Sequence, residues 1–89
     1  MVNYVTVRLT VDTATAADAI AARVDDVRRT REGDTVRFRT NAGINLATLS
    51  PAGSGSVLRY RTSLIGPHLS HARTTARAVR AAVDPYRAD

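Results

Sequence analysis

The sequence predicts a single α+β domain, an antiparallel sheet of about four strands with two helices, in the order β-α-β-β-β-α. Three observations support this fold class. Apolar and polar residues alternate in several short segments, apolar residues recur at helical spacing in two longer segments, and a short glycine-containing connection joins two of the alternating segments. Because such connections join antiparallel neighbours, the helices are expected on the apolar face of one sheet.

The first strand is the clearest of these elements. Residues 2–11 alternate between two faces, with Val5, Val7, Leu9 and Val11 on one and Tyr4, Thr6, Arg8 and Thr10 on the other. This period of two is typical of a half-buried strand.

A first helix is predicted after a turn at Asp12 and Thr13. The segment from Thr15 to Asp18 resembles a capping box, in which a hydroxyl and a carboxylate three residues apart bond to free N–H groups of the first turn. From there the helix is expected to continue to about Thr30. Its apolar face consists of Ala17, Ile20, Ala21, Val24 and Val27.

The next two strands are predicted as a hairpin that follows a turn at residues 31–34. Residues 35–40 alternate, with Val36 and Phe38 opposing Arg37 and Arg39. Residues 41–43 contain a glycine suited to a left-handed conformation and connect to an antiparallel strand at residues 44–49.

A flexible loop at residues 51–56 and a last strand at residues 57–64 complete the predicted sheet. The loop has the sequence Pro-Ala-Gly-Ser-Gly-Ser and carries no side chain suited to chemistry. In the strand, Leu58, Tyr60, Thr62 and Leu64 oppose Val57, Arg59, Arg61 and Ser63.

A second helix is expected to start at Gly66-Pro67, because proline at the first helical position loses no hydrogen bond and has its φ preset. It should end near Asp84, just before Pro85. Its apolar face is Leu69, Ala72, Ala76, Val79 and Val83. The domain therefore covers residues 1–84, and residues 85–89 are a C-terminal tail.

The composition limits the class of protein. With 89 residues, of which 44% are hydrophobic, the chain has room for one modest core. The absence of cysteine excludes disulfides, cysteine metal sites and thiolate nucleophiles. No run of about 18 apolar residues occurs, and the alternating N-terminus lacks the apolar segment of a signal peptide, so a cytoplasmic location is expected.

Arginine dominates the charge of the chain. The net charge is +5, the pI is about 11.0, and all 13 positive side chains are arginines. A GC-rich genome would produce this bias, because it favours arginine and alanine codons. Selection for the guanidinium group, which binds phosphate or carboxylate through two parallel hydrogen bonds, would produce it as well.

Strand alternation predicts an arginine-rich outer face on the sheet. If the strands share one sheet, this face carries Arg8, Arg37, Arg39, Arg59 and Arg61. Such a face either attracts polyanions through counterion release or is a solvated surface whose arginine stems cover neighbouring side chains. Tyr4 is the one aromatic residue predicted there, so sequence-specific base recognition is not expected.

Two smaller polar groups lie on the last predicted helix. Arg73, Arg77 and Arg80 form a basic stripe that either contacts phosphates or is a solvated flank. His68 and His71 have a spacing that metal ligands use, but no third ligand is nearby and no metal site is expected. No catalytic serine, histidine and aspartate pattern and no nucleotide-binding glycine motif occurs, so we predict a non-enzymatic protein without a cofactor.

Both ends of the chain resemble one known superfamily. Residues 4–12 and 16–27 resemble the opening strand and helix of START-like polyketide cyclase and lipid-transfer proteins, the helix-grip or SRPBCC superfamily. Residues 53–62, followed by Gly66-Pro67 and a helix to Val83, are similar to its last strand and C-terminal helix. Members have more strands and use the long helix to close an apolar cavity. The resemblance therefore implies a reduced helix-grip fold.

The groove implied by this resemblance would be lined by Val36, Phe38, Leu58, Tyr60, Leu69 and Val79, unless these residues form a plain core. The leading hypothesis is a non-enzymatic module that binds a hydrophobic ligand there, or a protein partner or second copy through the C-terminal helix. The alternative is a sequence-nonspecific nucleic-acid-binding protein that uses the arginine-rich face. No membrane contact is expected.

Overall fold

The chain folds into one antiparallel sheet with helical segments on one face, so the predicted α+β class is confirmed. The structure is a computed structural model and describes residues 4–25, 27–40, 43, 45–61 and 77–88. Its elements are β1 (Tyr4–Leu9), α1 (Thr13–Arg23), β2 (Val27–Glu32), β3 (Thr35–Thr40), β4 (Asn45–Ala52), β5 (Gly55–Arg61), a helical segment at residues 77–83 and a 3₁₀ turn at Asp84–Tyr86.

The strands lie side by side in the order β1-β5-β4-β3-β2, and every neighbouring pair is antiparallel. β2 to β5 form a meander, and β1 lies beside β5 at one edge. The prediction of about four strands in the order β-α-β-β-β-α is therefore corrected to five strands in the order β-α-β-β-β-β-α. The strand missed from the sequence is β2.

α1 begins at an N-cap formed by Asp12. The backbone N–H of Thr15 donates to Oδ1 of Asp12 at 2.8 Å. Hydrogen bonds from the Thr15 hydroxyl and from its backbone N–H hold the pKa of Asp12 below its ordinary value of 3.8. Thr15 and Asp18 thus lie within the helix, and the predicted capping box at these residues is wrong.

α1 ends at Arg23 and not near Thr30 as predicted. Val24 is extended, with φ −118° and ψ 115°, and its N–H donates to the carbonyl of Ile20 at 2.9 Å. The apolar spacing of Ile20, Val24 and Val27 predicts a longer helix. Residues 27–32 instead pair with β3 along their whole length. The turn predicted at residues 31–34 consists only of Gly33 and Asp34, with Gly33 at φ 60°.

The predicted hairpin of β3 and β4 is confirmed, but the predicted loop at residues 51–56 is wrong. β4 continues through Pro51 to Ala52, and a two-residue turn with Gly53 at φ 60° leads into β5. β3 pairs with β4 no further than Leu49. Pro51 lacks a backbone N–H, but no hydrogen bond between β3 and β4 is lost, because β3 does not pair with β4 at this position.

The C-terminal residues lie along the edge of β1. The N–H of Thr10 donates to the carbonyl of Tyr86 at 2.8 Å, and the N–H of Ala88 donates to the carbonyl of Arg8 at 2.9 Å. Leu9 and Arg87 form an antiparallel bridge between these two bonds. Most of the segment predicted as a tail is thus bonded to the sheet.

The core lies between the sheet and its helical segments. Ile20 of α1, Phe38 and Leu58 of the sheet, and Val79 and Val83 of the helical segment are all fully buried. The predicted end of the last helix near Asp84 is confirmed, since residues 77–83 are helical and a 3₁₀ turn follows. The predicted start at Gly66-Pro67 and the end of the strand predicted for residues 57–64 lie outside the described residues.

Candidate nucleic-acid interface

Six arginines share the face of the sheet that points away from α1 and the core. Thr48 on β4 lies opposite Arg37 on β3 and opposite Arg59 on β5, so these three side chains are on one face. The other residues of this face are identified from the alternation of side chains along each strand. We call this surface the arginine face, and its arginines are Arg8, Arg28, Arg37, Arg39, Arg59 and Arg61.

Five of these arginines occupy the positions that strand alternation predicts, and Arg28 is the sixth. Arg28 lies opposite Arg39 at the β2 edge of the face. Arg28 is not predicted to lie on the sheet, because helical spacing in the sequence assigns it to the first helix. The signal that would have placed it is Gly33-Asp34, a dipeptide that favours a two-residue hairpin turn.

Among the described residues, one carboxylate lies close to an arginine of this face. Nε of Arg37 lies 3.5 Å from Oε2 of Glu32, and the two side chains are 41% and 50% exposed. An ion pair this exposed is weak. Within the described ranges, no carboxylate pairs with Arg8, Arg28, Arg39 or Arg59.

Tyr4 contributes an aromatic ring to the β1 edge of the arginine face. The guanidinium carbon of Arg59 lies 4.2 Å from the centroid of this ring, within the range of a cation–π contact. Tyr4 itself is 37% exposed. The ring therefore orients Arg59 while one part of it remains accessible.

A depression of about 370 Å³ lies at the centre of the arginine face. It is lined by Thr6, Arg37, Asn45, Thr48, Ser50, Val57 and Arg59. Two of its polar atoms, Nε of Arg37 and Oδ1 of Asn45, are buried without a hydrogen-bond partner in the described part of the chain. Nε of Arg37 thus contacts Glu32 as an ion pair without hydrogen-bond geometry, and Oδ1 of Asn45 accepts no hydrogen bond from the described residues.

The residues predicted to line an apolar groove lie in the core. Val36, Phe38, Leu58, Tyr60 and Val79 are all buried, with 6% of the surface of Val36 exposed and less for the other four. They belong to one cluster with Ile20 and Val83. Leu69, the sixth predicted lining residue, lies outside the described residues.

The other predicted sites are only partly described. Arg77 and Arg80 are exposed on the helical segment, which packs on the opposite face of the sheet from the arginine face. Arg73, His68 and His71 lie outside the described residues. Among the described residues, no group of three potential metal ligands occurs.

A second concavity, a cleft of about 280 Å³, lies between α1 and the edge strand β2. Nη1 of Arg29 donates to Oδ1 of Asp18 at 2.9 Å, and Nε of Arg31 donates to the carbonyl of Gly33 at 3.2 Å. Both guanidinium groups thus already have acceptors. Charged side chains on the inward face of an edge strand discourage pairing with another sheet, which explains these two arginines structurally.

No known protein family, curated protein or solved structure matches this chain. In the part of the chain that the structure describes, no helix is long and apolar enough to cross a membrane.

Proposed function

We propose that the protein binds nucleic acid without recognising its sequence, and that the arginine face is the binding surface. The observation that carries this proposal is the convergence of six arginines on one face. Four of them have no carboxylate partner in the described ranges. Guanidinium groups bind phosphate oxygens through two parallel hydrogen bonds, and phosphate neutralisation releases counterions.

The composition of the face supports phosphate contact over base recognition. Apart from arginine and Val57, its central residues are small and polar, namely Thr6, Asn45, Thr48 and Ser50. Tyr4 is its one described aromatic residue and already packs against Arg59. Sheet surfaces that recognise RNA sequence stack two or three bases on aromatic side chains, so binding here is sequence-independent.

We also propose that the fold is a reduced helix-grip arrangement. Support comes from Val79 and Val83 of the helical segment, which pack into the core between α1 and the sheet. The five described residues that the resemblance assigns to a ligand groove are buried in that core. For this reason we favour the exposed arginine face over an apolar groove as the binding surface.

Titration of a fluorescent mixed-sequence oligonucleotide, followed by fluorescence anisotropy, tests the proposal. Affinity should fall steeply between about 50 and 200 mM salt, because each neutralised phosphate contributes to the salt dependence. The variant Arg39→Gln should lower affinity several-fold and reduce the slope of log affinity against log salt by about 0.7 to 0.9.

Arg23→Gln is the matched control. Arg23 is exposed at the end of α1, on the other side of the sheet, and its substitution removes the same single charge. We expect its affinity and salt slope to stay close to those of the unmodified protein. The proposal would be wrong if the protein does not bind the oligonucleotide at low salt, or if the two variants lose the same amount of affinity.

A further inference from the structure

We propose that the ligand of the arginine face is a single strand whose backbone lies along β4, between the arginines of β3 and β5. This inference rests on the proposed nucleic-acid binding and makes it more specific. It starts from an asymmetry between the strands. Within the described strands, β4 is the only one that carries no arginine, and both of its neighbours carry two on the arginine face.

The side chains of β4 form the floor of a trough. Asn45, Thr48 and Ser50 line the central depression, and all three are short and polar. Arg37 and Arg39 stand on one side of them and Arg59 and Arg61 on the other, as the strand pairing requires. Since neighbouring strands are about 4.8 Å apart, the two arginine rows are separated by roughly 10 Å at the backbone.

The unpaired polar atoms in the depression provide a second and independent indication. Nε of Arg37 is a buried donor and Oδ1 of Asn45 a buried acceptor, and neither has a hydrogen-bond partner in the described chain. Buried polar groups are normally paired, and a ligand in the trough would supply partners once these two side chains turn toward it. A phosphate oxygen then accepts from the guanidinium of Arg37, whose side chain is 41% exposed, and a base N–H donates to Asn45.

The dimensions of the sheet argue against a double helix as the preferred ligand. Five strands span about 19 Å, whereas the major groove of B-form DNA is about 12 Å wide and admits a helix or a two-stranded ribbon. The sheet can therefore touch only the outermost phosphates of a duplex. A single strand in the trough reaches arginines on both sides, which is how basic grooves track single-stranded backbones.

The side chains of the same face also set the direction of the strand. The row across the sheet reads Thr6, Arg59, Thr48, Arg37 and Thr30, so two arginine side chains would stand in the path of a strand crossing it. Along β4 no arginine side chain intervenes. The backbone therefore runs parallel to β4.

Two threonine variants test the position of the strand. Thr48→Glu places a negative charge on the trough floor, and Thr30→Glu places the same charge on the same face at the β2 edge. In competition anisotropy, a DNA single strand should bind at least about ten-fold more tightly than the duplex of the same sequence. Thr48→Glu should weaken its binding about ten-fold, because the new charge stands in the path of the strand between Arg37 and Arg59. Thr30→Glu places its charge beside Arg37 but outside that path, so its loss should be smaller, about three-fold.

A spin-labelled strand bound to the unmodified, isotope-labelled protein tests the direction and needs no variant. A label at one end should broaden the amide signals of β4 near Asn45, near Ser50, or at both ends, more strongly than those of Thr6 and Thr30. Stronger broadening at Thr6 and Thr30 than at either end of β4 would overturn the direction. Equal binding of single strand and duplex, with equal losses in both variants, would overturn the trough while leaving general nucleic-acid binding intact.

Discussion

Arg59 packs over the ring of Tyr4, with its guanidinium carbon 4.2 Å from the ring centroid. The contact is diagonal across β1 and β5, because Tyr4 lies opposite Arg61 and Arg59 lies opposite Thr6. Tyr4, at the edge of the sheet, thereby restrains Arg59, whose side chain lines the central depression. An arginine restrained in this way loses less conformational freedom when it binds phosphate.

The first prediction follows from this contact. Tyr4→Leu keeps an apolar side chain but removes the ring, so the cation–π attraction of about 0.5 to 1 kcal/mol is lost. Affinity for a single-stranded oligonucleotide should fall roughly two- to five-fold, measured by fluorescence anisotropy at low salt. Tyr4→Phe retains the ring and should bind like the unmodified protein. Unchanged binding by Tyr4→Leu would contradict a role for the ring.

Regular alternation allowed much of this face to be predicted from the sequence. In β3, Val36 and Phe38 are buried and each is followed by an arginine, so these two residues face the core and Arg37 and Arg39 face outward. The same holds for Leu58, Arg59 and Tyr60 in β5. Where an apolar face is buried, the period of two determines which residues share the other face.

β2 was missed because it lacks this pattern. Five of its six residues are exposed, and Val27 is its one apolar residue. As an edge strand it is stabilised by backbone pairing with β3 more than by burial, and local sequence carries little information about such pairing. The depression could not be predicted, because its lining depends on which strands are neighbours and not on the sequence of any single strand.

The second prediction concerns Gly55, where β5 begins. A Cβ atom added to Gly55 would overlap with the carbonyl oxygen of Leu9, because β1 passes very close to this residue. Gly55→Ala should therefore lower the free energy of unfolding by about 1 to 3 kcal/mol, measured by urea denaturation. The backbone of β1 or β5 must shift to admit the methyl group.

Gly53→Asn in the same hairpin is the control for Gly55→Ala. Gly53 has φ 60° and no atom within 4 Å of an added Cβ, and asparagine tolerates this left-handed conformation. Its free energy of unfolding should change by less than about 0.5 kcal/mol. Equal stability of the two variants would show that the approach of Leu9 to Gly55 is not tight.

The third prediction concerns pH and the N-cap of α1. Hydrogen bonds from Thr15 lower the pKa of Asp12 in the folded protein below 3.8, so its charged form stabilises the fold. This stabilisation is complete above pH 3.8 and is lost as the pH falls through the lowered folded pKa. Asp12→Asn keeps a capping oxygen but cannot titrate. The melting temperature of the unmodified protein should therefore exceed that of Asp12→Asn near neutral pH, and the difference should shrink steadily below pH 3.8 in circular dichroism melts. A difference that does not change with pH would mean that the charge of Asp12 contributes nothing to the cap.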